Sequence, residues 1–98
     1  MTSDSAVIDR NSMVVRVEGL PMSGIDDDMV ILNVATGRYI GLDEIGRRIW
    51  DAIEAPVRVT ELRDRLAPAY RETPEVIERD IILFLSDMQR ERLVRVEA

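Results

Sequence analysis

Val30-Ile31-Leu32-Asn33-Val34, then Ala35-Thr36-Gly37, then Arg38-Tyr39-Ile40-Gly41-Leu42-Asp43, is the stretch that decides the fold. It predicts a tight β-hairpin, with glycine where a short hairpin loop wants a left-handed residue. In the first arm, about Asp28 to Val34, Met29, Ile31 and Asn33 share one face, and Val30, Leu32 and Val34 share the other. Both faces are largely apolar, which predicts at least partial cover on each. The second arm, Arg38 to Leu42, runs without a gap into Glu44-Ile45-Gly46-Arg47-Arg48-Ile49-Trp50-Asp51. Helix follows it and no later segment supplies an obvious covering strand, so this arm is expected at a sheet edge. Proteins usually blunt such an edge. Left open beside a helix, it can take an extended peptide as a further strand. These residues read as a peptide binder that catalyses nothing.

Composition narrows the classes. At 98 residues the chain holds one core and not two. The sequence contains no cysteine and no histidine, and every basic residue is arginine. That removes a disulfide framework, thiolate metal sites, the commonest general base and Schiff-base chemistry. No metal and no cofactor is expected. The net charge of −6 opposes a phosphate backbone as partner, since binding nucleic acid relies on an excess of cations. The longest apolar run, Ile81-Ile82-Leu83-Phe84-Leu85, is far too short to span a bilayer. The start, Met1-Thr2-Ser3-Asp4-Ser5, is unlike a signal peptide. No membrane partner is expected, and a cytoplasmic setting is.

Outward from the hairpin, residues 1–11 read as a flexible arm in which Ala6-Val7-Ile8 can dock, and residues 12–98 as the folded domain. Met13-Val14-Val15-Arg16-Val17 reads as a first strand, which makes the hairpin arms the second and third. Gly19-Leu20-Pro21-Met22-Ser23-Gly24 reads as a loop. Asp26-Asp27-Asp28 is a solvated turn or a patch for a basic partner; it lacks the calcium-loop pattern. Asp43 stands at a helix N-cap, followed by Ile45, Ile49, Ala52 and Ile53 at helical spacing with Trp50 at the border. This first helix ends before Pro56. Thr60 is expected to cap a second, short helix carrying Leu62, Leu66 and Ala69 inward. Thr73-Pro74-Glu75 opens a third helix running to about Arg90. Leu93-Val94-Arg95-Val96 alternates weakly as a final strand. The expected class is α+β and winged helix-turn-helix-like, a three-stranded antiparallel sheet followed by three helices.

The third helix carries two stripes. Ile77, Ile81, Phe84, Leu85 and Met88 form the core stripe. Val76, Asp80, Leu83 and Asp87 form an adjacent one, half apolar and with two acids. It reads either as the margin of the core or as one wall of a groove, in which Asp80 or Asp87 accepts from a guest peptide. Tyr39, on the expected edge strand, either packs across the hairpin or flanks that groove.

Val30-Ile31-Leu32-Asn33, Thr36-Gly37, Tyr39, Leu42-Asp43, Gly46 and Ile49-Trp50 resemble the signature segment of the PqqD-like family. So do Thr60-Glu61-Leu62, Leu66, Tyr70, Val76 through Asp80, Phe84-Leu85, Met88 and Leu93-Val94. The likeness spans about Met13 to Val96. Asp43 departs from it where asparagine is common, and Glu91-Arg92 where a glycine often precedes the final Leu-Val. The resemblance implies a recognition element for ribosomally synthesised, modified peptides (RiPPs), which binds the leader segment of a precursor. It implies that the leader adds to the strand Arg38, Tyr39, Ile40, Gly41, Leu42 and lies against Val76, Asp80, Leu83 and Asp87. Such domains present the precursor to modifying enzymes in pyrroloquinoline quinone, radical-SAM and lasso peptide synthesis. A free-standing domain with a polar arm resembles the lasso type most, with a leader peptidase and an ATP-dependent cyclase as partners. An open edge also permits pairing of two copies, so a monomer or weak homodimer is expected.

Three other readings compete. A winged-helix DNA binder fits the architecture, but a recognition helix carrying Glu75, Glu78, Asp80 and Asp87 opposes it. A carboxylate enzyme requires a concave pocket with paired acids of perturbed pKa. A regulatory adaptor would bind only a folded protein.

Overall fold

In chain order the elements are β1 (Met13–Arg16), β2 (Met22–Ile25), β3 (Asp28–Asn33), β4 (Arg38–Leu42), α1 (Glu44–Ala52), β5 (Val57–Arg58), α2 (Val59–Leu66), a 3-10 turn (Ala67–Ala69), α3 (Pro74–Arg90) and β6 (Val94–Glu97). The computed structural model describes residues 7–25 and 28–97. The chain is α+β with three helices, as the sequence predicts, and its strands form two antiparallel three-stranded sheets where one was expected.

The hairpin's sheet is completed differently from the expectation. Its order is β2-β3-β4, and β2 lies inside the stretch read as a loop. The first strand, β1, belongs instead to a second sheet of order β5-β1-β6. Both pairings of β1 are antiparallel. Asp26 and Asp27, from the acidic run, lie outside the described residues.

The core gathers between the sheets and the helices. Val14, Ile31, Leu42, Ile49, Trp50, Ile53, Leu62, Ile77, Ile81 and Leu85 are all buried. Each large apolar side chain sequestered this way contributes about 1.5–3 kcal/mol. Trp50 is wholly buried rather than bordering its stripe. Its indole N–H donates to Met22 Sδ at 3.0 Å, and the Arg16 guanidinium lies 5.5 Å from its ring centroid. One aromatic residue thereby joins β1, β2 and α1.

The helix ends follow local chemistry with one exception. Asp43 caps α1, its Oδ1 accepting from the Gly46 amide at 2.7 Å. Thr73 caps α3, with Pro74 in its first turn. The exception is α2. It starts one residue before Thr60, and Arg58 at its cap makes no side-chain capping bond. The orphan amides are met by backbone instead: Val59 N–H donates to the Ser12 carbonyl at 3.0 Å and Thr60 N–H to that of Arg10 at 3.2 Å. The first six residues of the expected arm lie outside the described residues; Ile8, just beyond them, is buried in the core.

Candidate functional site

Strand β4 is the edge of its sheet, and hydrogen-bond alternation settles which of its backbone groups face outward. In an antiparallel ladder, bonded and non-bonded pairs alternate along the strand. Leu32 N–H donates to Pro21 O at 3.0 Å, toward the β2 side. The pair Leu32↔Tyr39 is therefore a non-bonded one between β3 and β4, and so is Val30↔Gly41 two residues on. Ile31↔Ile40 is the bonded pair between them. The N–H and C=O groups of Tyr39 and Gly41 thus point away from the sheet, while those of Ile40 are used within it.

Side chains divide by the pleat. Ile40 is half-buried and Leu42 buried, both on the core face with Ile31 and Met29. Tyr39 and Gly41 stand on the opposite face. Tyr39 is 72% exposed and lies across from Leu32. With Pro21, Met22, Ser23, Val30 and Leu32 it lines a shallow depression of about 150 Å³.

Helix α3 is tied to the hairpin past its C-terminal end and to α1 at mid-length. At one end Arg38, the first residue of β4, donates to the Glu91 carboxylate at 2.9 Å. Buried Asn33 donates to the Glu91 backbone carbonyl at 3.0 Å and to its carboxylate at 3.2 Å. At mid-length Gly46 of α1 seats against Phe84. A Cβ placed on Gly46 would come within 3.1 Å of the Phe84 ring and 3.2 Å of Asp43 Oδ1. Tyr70 lies near Asp80 and Asp43: burial, then these carboxylates, raise its pKa above the usual tyrosine range.

The expected second stripe of α3 adjoins this line. At about 100° per residue, Asp80 and Asp87 lie within about 60° of Phe84, with Val76 and Leu83 further round. Val76 and Asp80 are half-buried, Asp87 is exposed and Leu83 is 58% exposed. Asp87 is paired with Arg90, and Asp80 lies 3.9 Å from Arg79. The structure thus ties Arg38 to the end of α3 through Glu91, places the outward backbone of Tyr39 and Gly41 on the edge of the hairpin sheet, and leaves the stripe on the surface of α3. The side chains of Ile40 and Leu42 are turned into the core instead. Phe84, predicted for the core stripe, is half-buried against Gly46.

Sequence reasoning did not select Asn33, Gly46, Tyr70, Phe84 or Glu91 for the site. Gly46 carried a signal, since a glycine inside a helical pattern often marks a close approach. The pairing of Asn33 and Arg38 with Glu91 spans more than fifty residues and left no local trace. Among the described residues no cluster of acids could hold a metal ion, no buried side-chain polar atom lacks a partner, and no helix is long and apolar enough to cross a membrane.

Residues 28–94 match the family model of coenzyme PQQ synthesis protein D (PqqD). A solved structure of TbiB1 in complex with the TbiA(beta) leader peptide is 32% identical, with a TM-score of 0.75 over 86% of this chain and 98% of that one. The solution structure of the PqqD truncation of Methylobacterium extorquens PqqCD, a functional and stand-alone RiPP recognition element, is 19% identical and shares the fold. Its TM-score is 0.75, over 95% of this chain and 98% of that one. No curated protein sequence matches.

Proposed function

Because the chain belongs to the PqqD family, we propose that it binds the leader segment of a ribosomally synthesised precursor peptide by β-strand addition to β4. The observation that carries this reading is the outward backbone of Tyr39 and Gly41 at the edge of the hairpin sheet, where no further strand pairs among the described residues. Two outward residues offer two donors and two acceptors to a guest strand. Arg38, Val76, Asp80, Leu83 and Asp87 supply the side chains that meet it, while Ile40 and Leu42 hold β4 in place from behind. Burying the outward amides under a guest satisfies groups that otherwise bond only to water. The solved relative with a leader peptide bound supports the same use of the fold.

The domain itself performs no covalent step in this reading. It holds the leader so that the remaining precursor reaches separate modifying enzymes. A leader peptidase and a cyclase of lasso peptide synthesis are the partners this reading assigns to it, as the resemblance implies. A short precursor gene, a transglutaminase-like protease and an asparagine-synthetase-like cyclase beside the gene for this chain are the expected neighbours.

Two proline variants test the strand addition, with the leader of the neighbouring precursor as ligand. Proline removes a backbone donor and is tolerated only where that donor faces away from the ladder. Tyr39→Pro is expected to keep its circular dichroism and lose leader binding in calorimetric titration. Ile40→Pro is expected to lose the fold, because its amide serves β3. Normal binding by a folded Tyr39→Pro variant would remove strand addition at this edge.

A further inference from the structure

Gly41 is the one residue of β4 whose choice the fold does not explain. It sits inside an edge strand, where glycine weakens a sheet and has no side chain to pack. The two glycines with positive φ are Gly19 and Gly37, so Gly41 is not required by a left-handed backbone. Nothing lies within 4 Å of a Cβ placed on it, so no neighbour demands the missing side chain either. Gly46 forms the contrast, since a Cβ there meets Phe84.

The space over Gly41 is framed by apolar side chains. Across the ladder from it stands Val30, half-buried, and diagonally Leu32 with Tyr39 beside it. These three belong to the depression on the outer face of the sheet. Whichever way a strand added to β4 runs, alternate side chains stand on this outer face, and one falls beside Gly41. A large flat side chain there would lie across the glycine, against Val30 and the edge of Tyr39. Aromatic side chains cover cross-strand glycines in just this manner.

We infer that Gly41 is a specificity-determining residue, whose open space selects a guest strand carrying an aromatic side chain at the position beside it. The inference rests on the strand-addition reading and adds the second face of the guest to it. In that reading the α3 stripe meets the guest residues that point inward, and the Gly41 space takes one that points outward. Its occupant is an aromatic side chain of the guest peptide, argued from the open space over Gly41 and the apolar side chains of Val30, Leu32 and Tyr39 beside it.

The test is a selection of displayed short random peptides on three forms of the full chain: wild type, Gly41→Val and Tyr39→Pro. The added side chain of Gly41→Val meets nothing within van der Waals distance, so its melting temperature is expected to equal or exceed that of the wild type. Wild type is expected to enrich peptides with Phe, Tyr or Trp at one fixed place in an apolar strand pattern. The best of these, resynthesised, is expected to bind Gly41→Val about tenfold more weakly, the size of losing one interface anchor. Replacing its aromatic residue by alanine is expected to cost the wild type the same factor and Gly41→Val little more, as coupled positions behave. Peptides that bind both forms equally would overturn the role of Gly41 and leave strand addition standing. An empty wild-type pool, or one that still binds folded Tyr39→Pro, would overturn both.

Discussion

The carboxylate of Glu91, one residue past the end of α3, accepts from Arg38 at 2.9 Å while the buried amide of Asn33 donates to the same residue's carboxylate and carbonyl. Asn33 ends β3 and Arg38 begins β4. One residue therefore holds both arms of the hairpin at its loop end against the end of α3.

The two halves of this clamp are expected to differ in weight. Arg38 is largely exposed, so Arg38→Ala is expected to cost about 0.2–1 kcal/mol of stability. Asn33→Ala strands the buried partner groups at Glu91 and is expected to cost about 1–3 kcal/mol. Urea denaturation of both variants measures the difference. A larger loss for Arg38→Ala would show that the ion pair, not the buried amide, holds the hairpin.

Arg92 adopts φ 62°, the left-handed conformation, just beyond the cap of α3. Its amide donates to Gln89 O and that of Leu93 to Met88 O, both at 2.9 Å, which closes the helix in a Schellman motif. Leu93 and Met88, brought together by the motif, are both buried. A side chain is strained at this position and glycine is not. Arg92→Gly is expected to stabilise the protein by about 0.5–1 kcal/mol, raising the melting temperature. An unchanged or lower value would mean that the arginine side chain offsets its own backbone strain.

On the α3 stripe, the exposed Leu83 is expected to tolerate alanine with a stability change within about 0.5 kcal/mol, as surface positions do. Leader affinity is expected to fall by about 1–3 kcal/mol, the range for an anchor. Asp80→Asn is expected to weaken binding more at low salt than at high salt, since exposed pairs are screened. Asp87 already pairs with Arg90, so Asp87→Asn is expected to matter less. Titrations at two salt concentrations, read beside melting temperatures, decide this. If each loss of affinity is matched by an equal loss of stability, the stripe belongs to the core.

What was legible in the sequence follows from how local each signal is. The hairpin, the Asp43 cap and the Thr73-Pro74-Glu75 start are written within a few consecutive residues, and each appears where it was expected. Strand β2 was hidden because Pro21, Ser23 and Gly24 carry turn chemistry, while its pairing with β3 overrides that preference. The second sheet was hidden for another reason. Strand β1 pairs with β5, only two residues long, and with β6 at the far end of the chain. Thr60 was misread as a cap because the carbonyls that meet the start of α2 come from Arg10 and Ser12, nearly fifty residues earlier. The strand and the helix that carry the candidate site were legible as elements. Which amides of β4 face outward was not, because it depends on the bond between Leu32 and Pro21.

Amide hydrogen exchange at β4, measured by NMR with and without saturating leader peptide, tests the central claim most directly. The Ile40 amide is expected to be protected in both states, since it serves β3. The Tyr39 and Gly41 amides are expected to exchange readily in the free protein and to become protected when the leader binds. Leader binding that leaves Tyr39 and Gly41 exchanging as before would contradict strand addition at this edge.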